Sequence, residues 1–395
     1  MYSYSRRIEV LSPSITIAIS TLARELRAAG KDVLSFSAGE PDFDTPNRVK
    51  EAAIDAIKKG FTRYTAVAGI PELLKTIKEK LERDNGLRYK TNQILVSNGA
   101  KQSLFNITQA LLDEGDEVII PAPYWVTYPE LVKYAGAVPI IVEANERNGF
   151  KITPRELEDA ITPKTKMLIL TTPSNPTGAV YSKEELGRLA RVLEGTNIVV
   201  ISDEMYEKLV YDGTKFTSVA SISEDMFKRT ITVNGLSKSA AMTGWRMGYL
   251  ASSNTELVKK MTSLQSQSTS NINSITQMAS IVALNGEIDK DIENMRQAFE
   301  ARAAEAVKLF NEIDGVSVSK PKGAFYLFVN IKDLNVSSME FCEKLLEEYG
   351  VAVVPGIGFG SEGYFRFSFA TDITTIRLGI RRIKKFIESN YKRRR

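Results

Sequence analysis

Histidine is absent from all 395 residues, and cysteine occurs once, at Cys342. The first absence removes Ser–His–Asp triads, Cys–His dyads and histidine metal centres together, so acid–base work must rest on Lys, Tyr, Asp or Glu. The second removes intramolecular disulfides and cysteine zinc sites, and no metal site is expected. Cys342 itself falls in the helical pattern SMEFCEKLLEEYG and reads as packing. No apolar run approaches the length of a membrane span. Charge is nearly balanced, 52 Lys and Arg against 48 Asp and Glu, a surplus too mild to argue for nucleic acid. The basic end, IRRIKKFIESNYKRRR, reads as a solvated helix whose last turn and tail carry cations that complement its dipole. Near the N-terminus, SRRIEVL has the paired arginines of an export signal, but no sustained apolar core or cleavage site follows. A cytoplasmic protein with neither membrane nor nucleic-acid partners is expected.

What is present supports a large soluble fold: 43% hydrophobic and 25% charged residues. The length exceeds one ordinary core, so two domains are expected. Seven short apolar runs, at 94–99, 117–123, 138–144, 166–173, 198–204, 230–237 and 245–252, read as buried strands. Most are nearly continuous in Val and Ile, the mark of a sheet covered on both faces. Helical patterns fall between many of them, and Thr153–Glu156 and Ser182–Glu185 have the spacing of capping boxes. This alternation predicts an α/β domain with a mostly parallel sheet and ligands beyond the carboxyl ends of its strands. After about residue 255 a long helical pattern leads into three further strand patterns and a final helix, which reads as a smaller α+β domain. Gly358 to Gly363 satisfies G-x-G-x-x-G by letter, but a strand pattern follows instead of a helix, so a glycine-rich turn is expected there.

Several strand ends carry polar residues without an obvious structural duty. Gly99 and Ala100 stand at a helix start, where free N–H groups favour a phosphate. Trp125 offers a flat ring, Asn175 lies between two prolines, and Asp203 ends an apolar strand with Tyr206 three residues later. Lys238 sits among Ser237, Ser239, Ala240 and Ala241, small neighbours that leave room for a bulky group, with Arg246 eight residues on. Singly each has a plainer reading: a strand-end Asp can cap a helix, and a strand-end Trp can be core. Their order and shared position at strand ends give them weight.

Together, SAGEPDFDTP (37–46), NPTG, SDEMY, SKSAAMTGWRMGY and RFSFAT (366–371) resemble the class I pyridoxal-phosphate-dependent aminotransferases, most of all the bacterial aspartate aminotransferase branch. The resemblance implies fold type I: a large domain with a mostly parallel seven-stranded sheet between helices, and a smaller α+β domain. The expected division is 1–45, an N-terminal segment packing with the small domain; 46–285, the large cofactor domain; and 286–395, the small domain. It implies pyridoxal 5′-phosphate as cofactor, with Lys238 as Schiff-base lysine and proton carrier. Asp203 then pairs with the ring nitrogen, Asn175 and Tyr206 donate to the ring oxygen, and Trp125 stacks on the ring. The phosphate falls to Gly99, Ala100, Lys101, Ser237 and Arg246, and to Tyr64 of a neighbouring subunit, which makes a homodimer with shared sites.

For substrates, an amino acid and a 2-oxo acid, the resemblance implies Arg366 on the α-carboxylate with Gly39, Asn175 and Trp125 beside it. Lys101, Ser14 and Thr16 match the set that meets a side-chain carboxylate. The expected reaction is L-aspartate with 2-oxoglutarate to oxaloacetate and L-glutamate. Rivals are an aromatic or prephenate aminotransferase, a carbon–sulfur lyase, and a cofactor-sensing module without turnover.

Overall fold

The computed structural model describes residues 2–391; the end of the basic tail, residues 392–395, lies outside it. All seven anticipated runs form one sheet: β1 (Ile94–Asn98), β2 (Glu117–Ala122), β3 (Val138–Glu143), β4 (Thr165–Thr171), β5 (Val199–Asp203), β6 (Thr230–Gly235) and β7 (Met247–Ser252). Their spatial order is β1-β7-β6-β5-β4-β2-β3, and only the pairs that involve β7 are antiparallel. Alternate residues feed opposite layers, as a doubly covered sheet requires: Val118 and Ile120 join one core cluster while Ile119 joins another. The edge strand β3 departs from that expectation. Val138 and Ile141 remain 45% and 43% exposed, because an edge has fewer neighbours to cover it.

Helices return between parallel strands and start where local chemistry starts them. Both capping boxes form, with Thr153 Oγ1 accepting from Glu156 N at 3.2 Å and Glu156 Oε2 accepting from Thr153 N at 2.6 Å. In the second, Ser182 Oγ accepts from Glu185 N at 3.2 Å and Glu185 Oε2 accepts in return at 2.8 Å. The final helix, Ile373–Asn390, corrects the charge reading: its last turn holds no basic residue, and the described cations lie one to two turns earlier. Among these residues they do not complement the dipole at its end.

The helical pattern after residue 255 is three helices, Thr255–Ser268, Ser274–Leu284 and Asp289–Phe310, and Phe299, Ala303, Ala306 and Phe310 of the last face the core. Beyond it, Tyr326–Asn330, Tyr364–Ser368 and Val354–Pro355 make a three-stranded antiparallel sheet. The N-terminal strand Leu34–Ser35 pairs in parallel with Val351–Ala352, so the start of the chain is bound to its C-terminal third. The glycine-rich run folds as a turn between strands, with Gly360 at φ +76°.

One face of the large sheet is unexpectedly polar beneath its cover. Glu204, fully buried just past β5, accepts on Oε1 from Ser202 Oγ, Ser218 Oγ and Val219 N, at 2.8, 2.7 and 3.1 Å. Burial, reinforced by Glu207, pushes its carboxyl up from 4.5 to about 7. The folded state therefore keeps a proton that the unfolded chain releases, and stability falls as pH rises through that window. Glu204→Gln keeps the acceptor and removes the titration. Its Tm is expected to drop less than the parent's between about pH 5 and about pH 8; parallel drops in a calorimetric pH series would mean that Glu204 is ionised in the fold.

Candidate active site

The carboxyl ends of the parallel strands open on a cavity of about 330 Å³. Parallel strands aim their ends, and the loops that follow them, at one edge of the sheet. After β1 comes Ala100, after β2 Trp125, after β4 Asn175, at the end of β5 Asp203, and after β6 Ser237 and Lys238; all line the cavity. Arg366, from the central strand of the small sheet, closes the opposite side, with Gly39 and Thr16 from the N-terminal segment.

Five charged groups line it, none in an ion pair among the described residues: Lys101 and Arg246 at the exposed side, and Lys238, Asp203 and Arg366 withdrawn farther from water. Lys238 Nζ donates to the carbonyl of Gly39. Burial pushes its amine down to about 8; nearby Glu40 opposes this, and Arg366 and Arg246 add to it. Asp203 accepts from Tyr128 Oη at 2.7 Å and from Met205 N at 3.2 Å. Burial raises its carboxyl above the ordinary range, while those two hydrogen bonds and the charge of Lys238 pull it back. Arg366 donates to Asn175 Oδ1 at 2.9 Å and to Ser37 O at 2.7 Å, and its guanidinium lies 4.4 Å from the centre of the Tyr326 ring. Its Nε, buried, has no protein partner. A buried guanidinium held by neutral acceptors is a ready site for a carboxylate, which its planar fork can grip with two hydrogen bonds.

The phosphate-sized end is built differently. Gly99 has φ +81°, and a Cβ there would strike the Arg246 guanidinium, so only glycine leaves that approach open. The Gly99 N–H donates to Ser97 O at 2.8 Å. The N–H groups of Ala100 and Lys101 belong to the first turn of helix Ala100–Leu111, which lacks intrahelical acceptors for them. Arg246 itself has φ +56° and donates to Thr243 O at 3.0 Å. Lys101 stands with Nζ 4.9 Å from the centre of the Trp125 ring, its amine lowered by burial and then by Arg246.

Tyr206 shares a 2.8 Å hydrogen bond with Tyr326. Three expected residues are not among those lining the cavity of the single chain: Tyr64, Ser14 and Gly99, the last of which precedes the lining Ala100 and has its N–H taken by Ser97 O. Tyr64 is 90% exposed and lines no part of the cavity. Ser14 caps helix Ile15–Ala28, its Oγ accepting from Ile17 N at 3.5 Å, and is not among the lining residues. Conversely, Tyr128, Thr171, Met205 and Tyr326 line the cavity without having been singled out. Tyr128 follows Trp125 by three residues, one helical turn, which is the signal that could have found it. Tyr326 lies in an ordinary aromatic strand pattern and gave none.

Residues 31–383 match the family described as aminotransferase class I and II. The chain belongs to this family. The aspartate aminotransferase of Bacillus subtilis (strain 168) is 48% identical over 391 residues, covering 98% of this chain and 99% of its own. An aspartate/prephenate aminotransferase of Cereibacter sphaeroides is also 48% identical, covering 95% of this chain and 96% of its own. The solved structure of the aspartate aminotransferase from Thermus thermophilus with maleate matches with TM-score 0.93 at 42% identity, over 98% of this chain and 100% of that one. The fold is therefore the type I fold of pyridoxal-phosphate enzymes, and the chain is an aminotransferase that uses this cofactor.

The donor set fits pyridoxal 5′-phosphate group by group. A desolvated amine suits its aldehyde, a buried carboxylate without a cation suits its ring nitrogen, and a glycine-floored helix start with Arg246 and Ser237 suits its phosphate. In the cofactor-free aminotransferase, the neutral form of Lys238 reaches half its maximum near pH 8. Acylation of Lys238 by a small anhydride, read by peptide mass spectrometry, is thus expected to level off above about pH 9. Surface lysines should keep gaining to about pH 10. A Lys238 profile that follows the surface lysines would refute its desolvation.

Proposed function

We propose that the enzyme moves the amino group of L-aspartate to 2-oxoglutarate, giving oxaloacetate and L-glutamate in two half-reactions at one site. One observation carries this reading: two cations, Arg366 and Lys101, line the same cavity as the desolvated Lys238. A dicarboxylate needs two cationic anchors around one reacting carbon. Arg366 grips the α-carboxylate, with Gly39 and Asn175 beside it. Lys101, with Thr16 beside it in the lining, takes the side-chain carboxylate.

When bound, pyridoxal phosphate supplies the electron sink and the carbon that receives the amino group. The chain's own residues do the rest. Lys238 anchors the cofactor and, once released, carries the proton to and from the substrate α-carbon; an amine lowered to about 8 is matched to that task. Asp203 holds a proton at the ring nitrogen, and Tyr128 keeps that carboxylate oriented. Asn175 and Tyr206 donate to the ring oxygen, and Trp125 covers the ring face. Ser237, Arg246 and the first-turn N–H groups hold the phosphate.

The same reading includes a cytoplasmic homodimer divided near residues 45 and 285. Its support is Tyr64, which is exposed in one chain and would reach the phosphate of a partner's site. The aromatic or prephenate reading has its own support in the aspartate/prephenate name of the Cereibacter relative and in the flat Trp125 wall.

Two variants separate these readings. Lys101→Ala should cost about 1.5–3 kcal/mol in kcat/KM for aspartate, a loss of roughly 10- to 150-fold, because a charge-assisted hydrogen bond is removed. Phenylalanine should lose less than about threefold. Equal losses in steady-state assays would move the assignment to the aromatic class. Asp203→Ala should lower kcat by several orders of magnitude with the cofactor still bound; a loss under about tenfold would leave Asp203 a structural residue.

A further inference from the structure

Directly behind the loops that carry Tyr206 and Lys238 lies a second, much smaller chamber of about 20 Å³. It is bounded by Glu207 and Lys208 on one loop, by Asn234 to Leu236 and Ser239 on the other, and by helix Pro71–Asn85. Two buried polar atoms at this chamber have no protein partner: Asn234 Nδ2 and Tyr249 Oη. The residues stand directly opposite each other in the β6/β7 ladder, so their side chains leave the same face as neighbours. The amide of Asn234 is oriented by its own oxygen, which accepts from Gly235 N at 2.7 Å and leaves Nδ2 as the free donor.

The chamber also borders a buried ion pair. Lys80 and Glu207 are 3% and 7% exposed and hydrogen-bonded to each other, and Asn85 bridges them at 2.8 Å to Lys80 and 2.7 Å to Glu207. Lys208 holds Asp84 at 2.8 Å. The end of helix Pro71–Asn85 thereby grips the loop one residue past Tyr206. Nothing among these contacts grips the Lys238 loop.

We infer that this chamber binds one ordered water, which accepts from Asn234 Nδ2, bonds Tyr249 Oη, and ties β6 to β7, the two strands that carry the Lys238 loop between them. Volume argues for a single water, since about 10–15 Å³ of such space admits one. Charge argues for a neutral occupant: Lys80, Arg83 and Lys208 around the chamber are balanced by Asp84, Glu207 and Asp289. The chemistry supplies the two or more polar partners that a buried water requires. Asn234 and Tyr249 then act as positioning residues: they touch neither substrate nor cofactor, and fix the two strands between which the Lys238 loop is held.

The water can be tested without the functional reading; only its positioning role rests on Lys238 holding the cofactor. In a high-resolution crystal structure of the holoenzyme, a peak within hydrogen-bond distance of both Asn234 Nδ2 and Tyr249 Oη is expected. An empty chamber, or a metal ion identified there by anomalous scattering, overturns the inference. Tyr249→Phe gives an independent sign. Removing a hydroxyl that bonds a water lowers Tm by about 1–3 °C, whereas removing a genuinely orphaned one leaves it unchanged or raises it. For positioning, the pH at which the visible absorption of the bound cofactor changes should shift by about half a unit in Tyr249→Phe. An unchanged profile overturns the positioning role while leaving the water. Should Tyr249→Phe fail to fold, Asn234→Asp and the parent crystal structure carry the same decision: the parent's peak at Asn234 Nδ2 and Tyr249 Oη supports the water, and its absence overturns it.

Discussion

Lys238, Asp203 and Arg366 are withdrawn from water into one cavity, and none is neutralised by another. Burying an unpaired charge is among the least favourable acts in folding. The chain arranges three of them within one cavity. Each is held by neutral dipoles that limit the cost without cancelling the charge: a carbonyl for Lys238, a phenol and an N–H for Asp203, an amide oxygen and a carbonyl for Arg366. The unmet remainder is available to whatever enters the cavity. The depressed amine of Lys238 belongs to the same economy of charge, since an amine paired to a carboxylate would keep its proton and could neither attack nor carry one.

The architecture exists to make that burial stable. Parallel strands covered on both faces give a rigid base, and their carboxyl ends deliver Ala100, Trp125, Asn175, Asp203 and Lys238 to one edge. β7 alone runs the other way, and its start brings Met247 and Gly248 against the segment that opens helix Ala100–Leu111. A Cβ at Gly248 would strike Ala100, so this close approach requires glycine and places Arg246 across from Gly99. The small sheet answers from the other side, where Phe328, Tyr364 and Phe359 form an apolar support beside the strand that carries Arg366.

Legibility differed by the range of the interaction. The capping boxes, the seven strands and the turn at Gly358–Gly363 were readable because each depends on residues a few positions apart. Trp125, Asp203 and Lys238 were readable because polar or bulky residues interrupt runs whose composition otherwise demands burial. The basic end misled for the same local reason: cations near a helix terminus imply a dipole role, yet the last described turn, Ile387–Asn390, holds none. Ser14 was matched together with Thr16 through the family resemblance, but in the single chain a helix start turns its hydroxyl to the backbone while Thr16 lines the cavity.

By itself the sequence determined the chemistry available: no histidine, a lysine among small residues, a strand-end aspartate, arginines in the last two motifs, and the periodicities that make an α/β sheet. Tertiary structure alone decided which of those charges would lack partners. Tyr326 and Tyr206 meet across 120 positions, Arg366 and Ser37 across 329, and Asn234 faces Tyr249 only because β6 and β7 pair in one register. A charge left unpaired is a property of everything around it, and no stretch of residues a few positions long contains that information.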